Sequence, residues 1–292
     1  MLLNTPGRLE AIANIRKAAA EGRFNDKTEP FDPQLPQNEL KKRIFRHVRR
    51  MWLPSSHIKK LIARRIVDGW RRSCSEGIDE IVGMEKLSAV KGSAFLTCNH
   101  FNPFDNGVIR TMTNRAGRGH LWALSQGTNF CMDGVNGFVL RNIDVIPLIG
   151  DASYMNGPLR SLMRRVLKKD RFILVYPEQE MWFNYRKPRP GKRGAFLFAA
   201  QYGVPVIPCF VEMRDLPAKM TADFHEVKLI LHILDPIFPD PAKTERQNSL
   251  DMCAADYAAR VAAYEKAYGK PLTYDFSPED IAGWIPLGEA AL

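Results

Sequence analysis

From about residue 90 the chain alternates short apolar runs with stretches of helical period. The apolar runs are SAFLTC (93–98), LWALS (121–125), IDVIPL (143–148), FILVY (172–176), VPVIPCFV (204–211) and VKLILHIL (227–234). Each has the length of a strand rather than a helix. Helices are expected between them over 103–116, 157–169 and 193–202. A last helix over about 247–268 is expected to lead into a loose tail. The alternation predicts an α/β fold, a mostly parallel central sheet flanked by helices on both faces. In such sheets reactive groups sit where strands end and helices begin.

The first ninety residues differ. PFDPQLPQ (30–37) carries three prolines and is expected to be extended. Two helices should follow, over 38–52 and 56–75, parted by Pro54 and Ser55, with Ser55 or Ser56 as the N-cap of the second. Ile58, Leu61, Ile62, Ile66 and Trp70 recur there at helical spacing with basic residues between them. Charge makes this pair unusual. Between Leu40 and Arg72 twelve lysines and arginines face a single acid, Asp68, while the whole chain carries only +10. The excess is therefore local and calls for a local anionic partner: a phospholipid surface, a nucleic acid or an acidic carrier protein. Two accounts of the helix pair stand side by side, packing on its own domain and lying on an anionic membrane. The expected organisation is a lead-in (1–37), a basic amphipathic helical membrane-docking region (38–84), an α/β domain (85–240) and a C-terminal helix and tail (241–292).

Composition narrows the class. With 292 residues and 45% hydrophobic content, a large core can be buried. No apolar run approaches the ~18 residues of a membrane span. The N-terminal apolar residues are interrupted by Arg8, Glu10, Arg16 and Lys17, unlike a secretory signal. The expected location is cytoplasmic, peripheral on the inner face of the cell membrane. Five dispersed cysteines (Cys74, Cys98, Cys131, Cys209, Cys253) without a CxxC pair suggest free thiols, with no disulfide frame and no metal site.

The candidate chemistry lies in TCNHFNPFDNG (97–107). His100 falls just past the end of a predicted strand. On a purely structural account, Asn102 caps a helix that opens with Pro103, and Asp105 favours the helix dipole. On a functional account, a sharp turn brings the Asp105 carboxylate back to one imidazole nitrogen. That fixes the tautomer and leaves the other nitrogen as a base. His47, His57, His120, His225 and His232 have no partner at a telling spacing.

The run Asn99-His100-Phe101-Asn102-Pro103-Phe104-Asp105 resembles the first motif of the glycerolipid (lysophosphatidic acid) acyltransferase family, an Asn-His-x4-Asp. Three further segments resemble the other motifs, in order: Gly137 to Arg141, Tyr176-Pro177-Glu178, and Val204 to Pro208. The resemblance covers roughly 85–235. The third motif departs from the usual aromatic-Pro-Glu-Gly-Thr-Arg: here Gln179-Glu180-Met181-Trp182 follows the glutamate, and the arginine is missing. The sequence is similar to a bacterial branch with a Pro-Glu-Gln-x-Met-Trp third motif and a basic, proline-rich loop. In that loop Arg186, Lys187, Arg189, Lys192 and Arg193 lie near one another without an acid. It could be a solvated turn or, leading into a helix at Gly194, a phosphate site.

The resemblance implies acyl transfer from a thioester, acyl-CoA or acyl-ACP, to the hydroxyl of a lysophospholipid such as 1-acylglycerol-3-phosphate. No bound cofactor is implied. His100 would be the general base and Asp105 its partner. Arg141, Glu178, Arg186, Lys192 and Arg193 are the candidates for the acceptor phosphate, Glu178 having the alternative of bonding backbone in its turn. Trp182 either lines an acyl groove or packs on the domain. A different hydroxylated lipid acceptor is the alternative within enzymes. A non-catalytic protein binding anionic lipid or nucleic acid is the alternative of another class; no zinc spacing, helix-turn-helix cue or aromatic-basic RNA signature supports nucleic acid.

Overall fold

The computed structural model describes residues 7–30, 35–75 and 77–286, with the side chains of 73–75 excepted. Residues 31–34, half of the proline stretch at 30–37, therefore fall outside the described residues, as does the Cys74 side chain. Cys98, Cys131, Cys209 and Cys253 are free thiols.

The six expected strands form, joined by a seventh. In chain order they are β1 (Ile78–Val82), β2 (Ala94–Thr97), β3 (Trp122–Gln126), β4 (Val145–Leu148), β5 (Phe172–Val175), β6 (Val206–Lys219) and β7 (His225–Ile233). They make one sheet in the order β1-β7-β6-β2-β5-β3-β4. Every pairing is parallel except β6 with β7. β1 is half exposed and lies at an edge, so it lacks the continuous apolar run that marks the inner strands. β4 is the other edge, where Pro147 is tolerated.

Successive residues of the inner strands feed two separate cores, as a pleat requires. Phe95, Ile173 and Val206 enter the cluster that includes Leu40 and Ile44, Val139, Leu162 and Phe196. These come from α2 (Gln37–Arg50), α5 (Gly134–Asn142), α7 (Arg160–Leu167) and α8 (Gly194–Tyr202). Leu96, Leu174 and Ile207 enter the cluster on the opposite face, which holds Val108, Ile109 and Met112 of α4 (Asn106–Arg115). The short α6 (Ala152–Tyr154) runs into α7 through a π-turn containing Pro158.

Two terminal segments depart from expectation. The lead-in contains a helix, α1 (Arg8–Ala20), whose Ile12, Ile15, Ala18 and Ala19 pack on Trp182, Phe183, Tyr185 and Phe224. Its alanines and spaced isoleucines suit a narrow groove, and only the tertiary partner reveals that. At the other end, α9 (Glu245–Tyr268) opens with a Thr244–Gln247 capping box and stops at left-handed Gly269. The tail after it, expected to be loose, folds back: Ile281 and Ala282 are buried and Asp280 pairs with buried Lys187 at 2.7 Å.

The basic helix pair forms as α2 and α3 (Pro54–Ser75). The second begins at Pro54, a residue favoured in the first helical turn. Neither serine caps it as expected; the Ser56 hydroxyl donates to the Arg50 carbonyl at 2.7 Å. The apolar stripe read from the sequence is split. Ile66 and Trp70 pack on the core, whereas Ile58 (68% exposed), Leu61 and Ile62 face outward. The inner side of α3 is held by charge. Asp144, at the head of β4 and 1% exposed, accepts from Lys60 at 2.5 Å and from Arg64 at 2.8 and 3.0 Å. Burial alone would raise its carboxyl pKa, but the two cations outweigh that and hold it below the ordinary value.

Asp144→Asn should therefore loosen α3. Because the two cations are partly exposed, the loss should fall below that of a fully buried pair, at about 2 kcal/mol. A group with a lowered folded pKa stabilises above its unfolded value and loses that contribution as pH falls. Thermal melts should show the wild type's lead over the variant shrinking below about pH 4.

Candidate active site

β2 and β5 are adjacent and parallel, with Thr97 opposite Val175. The residues that follow, Cys98-Asn99-His100 and Tyr176-Pro177-Glu178, therefore leave the sheet side by side. Asn99 is pinned to β6 by a reciprocal pair: its Oδ1 accepts from Val211 N at 2.8 Å and its Nδ2 donates to Val211 O at 3.1 Å. The His100 and Phe101 carbonyls accept from Trp182 N and Asn184 N. The turn is thus tied on both sides before any side chain acts.

Helix α4 begins at Asn106, later than the sequence suggested, because 102–105 form a tight turn. Asp105 makes no side-chain cap bond to the helix. Its carboxylate faces backward. Oδ2 accepts from His100 Nδ1 at 2.6 Å and from the backbone N–H of Phe101 (3.1 Å) and Asn102 (3.4 Å). Oδ1 accepts from the Tyr176 hydroxyl at 2.5 Å. Asp105 is 2% exposed and His100 21%. A carboxylate on Nδ1 directs the lone pair to Nε2, so the arrangement can take a proton from a hydroxyl brought to its open side.

The candidates for an acceptor phosphate are distributed unequally. Glu178 is 1% exposed and lies beneath the turn. Its carboxylate accepts from His100 N (3.4 Å), Arg189 N (3.0 Å), Arg189 Nε (3.1 Å) and Arg260 NH1 (2.6 Å). Arg141, on α5, donates to the carbonyls of Phe130 (2.9 Å) and Met132 (2.7 Å). Gly137 permits this approach: a Cβ there would lie 1.7 Å from Met132 O and 2.9 Å from the Arg141 guanidinium. Arg186 points to the C-terminal tail, bonding Glu279 O at 2.8 Å and pairing with Asp215 at 2.6 Å. Lys192 and Arg193 are exposed; Lys192 N donates to Pro177 O at 2.7 Å, and Gly194 then starts α8. These two therefore stay beside the third motif with their charges in solvent. Trp182 packs, fully buried, with its Nε1 donating to Asp26 O at 2.9 Å and Arg189 over its ring.

Three contributors were not singled out from the sequence. Arg189 reads as one of a basic run, yet it is buried and bonded to Glu178 and to the carbonyls of Phe24 and Glu180. Asp256 and Arg260 lie four apart on α9; Arg260 donates to Asp256 at 3.0 Å, and Asp256 accepts from Thr97 at the end of β2. Helical spacing of an acid and a base normally marks a solvated face, so nothing local distinguishes them. Elsewhere, His47 packs at a tilt against Phe130, with ring centroids 5.0 Å apart, and is pushed down to about 4 by burial, then by the Arg141 charge. His232 pairs with Glu212 at 2.7 Å, a contact across the antiparallel strands that no local spacing announces.

The family profile described as Acyltransferase matches residues 80–212. That span runs from within β1 to the middle of β6 and contains the whole His100–Asp105–Tyr176 arrangement. No curated protein matches the sequence. Among solved structures, the 1-acyl-sn-glycerophosphate (LPA) acyltransferase PlsC from Thermotoga maritima is similar in fold. It is 16% identical, with 91% of this chain and 96% of that chain covered and a TM-score of 0.50. The motif-bearing strand ends lie inside the matched span, so residues 80–212 form a domain similar to the acyltransferase family.

Proposed function

We propose that the protein moves a fatty acyl group from a thioester, acyl-CoA or acyl-ACP, to the free hydroxyl of a lysophospholipid, 1-acylglycerol-3-phosphate being the preferred acceptor. The observation that carries this reading is the 2.6 Å contact between His100 Nδ1 and Asp105 Oδ2 at an accessible strand end. His100 Nε2 takes the acceptor hydroxyl proton as the oxygen attacks the thioester carbonyl. The tetrahedral intermediate then expels the thiolate, which recovers the proton from the imidazolium. Asp105 holds the tautomer and offsets the transient positive charge. No acyl-enzyme is needed, since the acceptor supplies the nucleophile.

Lys192 and Arg193 are the candidates best placed to meet an acceptor phosphate, being solvent-facing where α8 begins. The burial of Arg189 against Glu178 favours a second reading, a hydroxylated lipid with another head group, because that arginine is committed to the fold.

For docking, the outward side chains Ile58, Leu61 and Ile62 on α3, and Leu53 in the turn before it, belong to a helix pair rich in lysine and arginine. Apolar residues ringed by cations fit an anionic bilayer surface, and the site would then open toward its lipid substrate. No helix among the described residues is long and apolar enough to cross a membrane.

His100→Ala should keep its melting transition and lose about 10²–10⁴-fold in kcat, measured as acyl transfer to 1-acylglycerol-3-phosphate in liposomes. A folded, fully active variant would sink the mechanism. Removing both charges at Lys192 and Arg193 should raise KM for a phosphate-bearing acceptor about tenfold and leave a neutral acceptor unaffected; equal effects on both would favour the second reading. Ile58→Glu with Leu61→Glu should abolish sedimentation with anionic vesicles while activity on detergent-dispersed substrate persists.

A further inference from the structure

Tyr176 touches both members of the dyad. Its ring lies nearly parallel to the imidazole, with centroids 4.0 Å apart and planes 12° apart. Its hydroxyl donates to Asp105 Oδ1, the carboxylate oxygen that His100 does not use. Both contacts follow from strand pairing, since Tyr176 succeeds the residue opposite Thr97. Burial, and then the Asp105 charge, push the phenol well above its ordinary pKa, so it remains an O–H donor at any working pH.

We propose that Tyr176 is a positioning residue for acyl transfer: its hydroxyl fixes Asp105, its ring fixes the plane of His100, and together they set the pH at which His100 acts as a base. This rests on the reading of His100 as the general base.

The two contacts act in opposite directions. A hydrogen bond into Asp105 draws negative charge away from Oδ2 and weakens its pull on the imidazolium, which lowers the basicity of His100. The aromatic face favours the imidazolium and raises it. The parallel stack also blocks rotation of the imidazole, keeping Nε2 aimed at the open side. The other charges around the dyad remain fixed when Tyr176 is changed. Glu178 beneath the His100 amide is paired with Arg189 and Arg260, and Arg260 also pairs with Asp256. Cys98 at the end of β2 is kept neutral, its thiol pushed up by burial. Arg110 of α4 is bonded to Asn106 Oδ1 at 3.2 Å and Leu121 O at 3.2 Å.

The test is the pH profile of kcat/KM for wild type, Tyr176→Phe, Tyr176→Leu and His100→Ala with the same thioester and lysophospholipid. Tyr176→Phe keeps the stack and removes the hydroxyl. Its acidic limb should move up by about 0.5–1 pH unit, with kcat at the optimum reduced several-fold and acceptor KM within about threefold of wild type. Tyr176→Leu removes both contacts; its limb should lie below that of the Phe variant, and its kcat should fall roughly tenfold further. A Phe variant whose limb stays within about 0.2 unit of wild type, or moves down, overturns the proposal. If the Leu variant does not fold, the Phe variant decides alone. Full activity in His100→Ala would overturn the functional reading beneath; an inactive His100→Ala beside an unshifted Tyr176→Phe would sink only the role of Tyr176.

Discussion

Both oxygens of Glu178 are bonded to cations, and those cations come from parts of the chain far apart in sequence. Arg189 belongs to the loop after the third motif and Arg260 to the C-terminal helix, while the backbone N–H of His100 approaches the same carboxylate. The Glu178 carbonyl in turn accepts from Asn25, near the N-terminus. An ionised carboxylate at 1% exposure survives only with such partners, because removing a charge from water costs several kcal/mol unless it is paired and hydrogen-bonded. Two acids, Glu178 and Asp256, face two arginines in a closed set without net charge. The turn that carries His100 rests on this set, so the geometry of the dyad depends on segments that contribute no reacting group.

A second set of charges works on the basic helix pair. The lysines and arginines of α2 and α3 are numerous enough to repel one another, and a few are diverted inward. Lys60 and Arg64 meet Asp144, and Lys41 meets Asp151. The two contacts to Asp144 hold α3 so that Ile58, Leu61 and Ile62 face outward with basic neighbours. The same composition is thus divided: the ion pairs with Asp144 hold the helix to the domain, and the remaining cations and apolar side chains stay at the surface. Trp70, on the inner side, meets Phe104 edge-on at 5.6 Å, joining this helix to the turn between His100 and Asp105.

The sequence by itself determined the strands and their order along the chain, because buried parallel strands are continuous apolar runs and leave a strong local signature. It also marked His100 and Asp105 as candidates, through a motif resemblance, while the local spacing left a capped turn equally open. It did not determine β1 or α1, whose partly polar or alanine-rich faces acquire meaning only against a partner surface. Nor could it separate the basic residues of the proline-rich loop: Arg189 is buried, Lys187 and Arg186 hold the tail, and Lys192 and Arg193 remain in solvent. Tertiary structure alone decided that sorting, and it alone brought Asp256 and Arg260 to the site. Charge and aromaticity are written in the sequence, but what they pair with is set by chain segments many residues away.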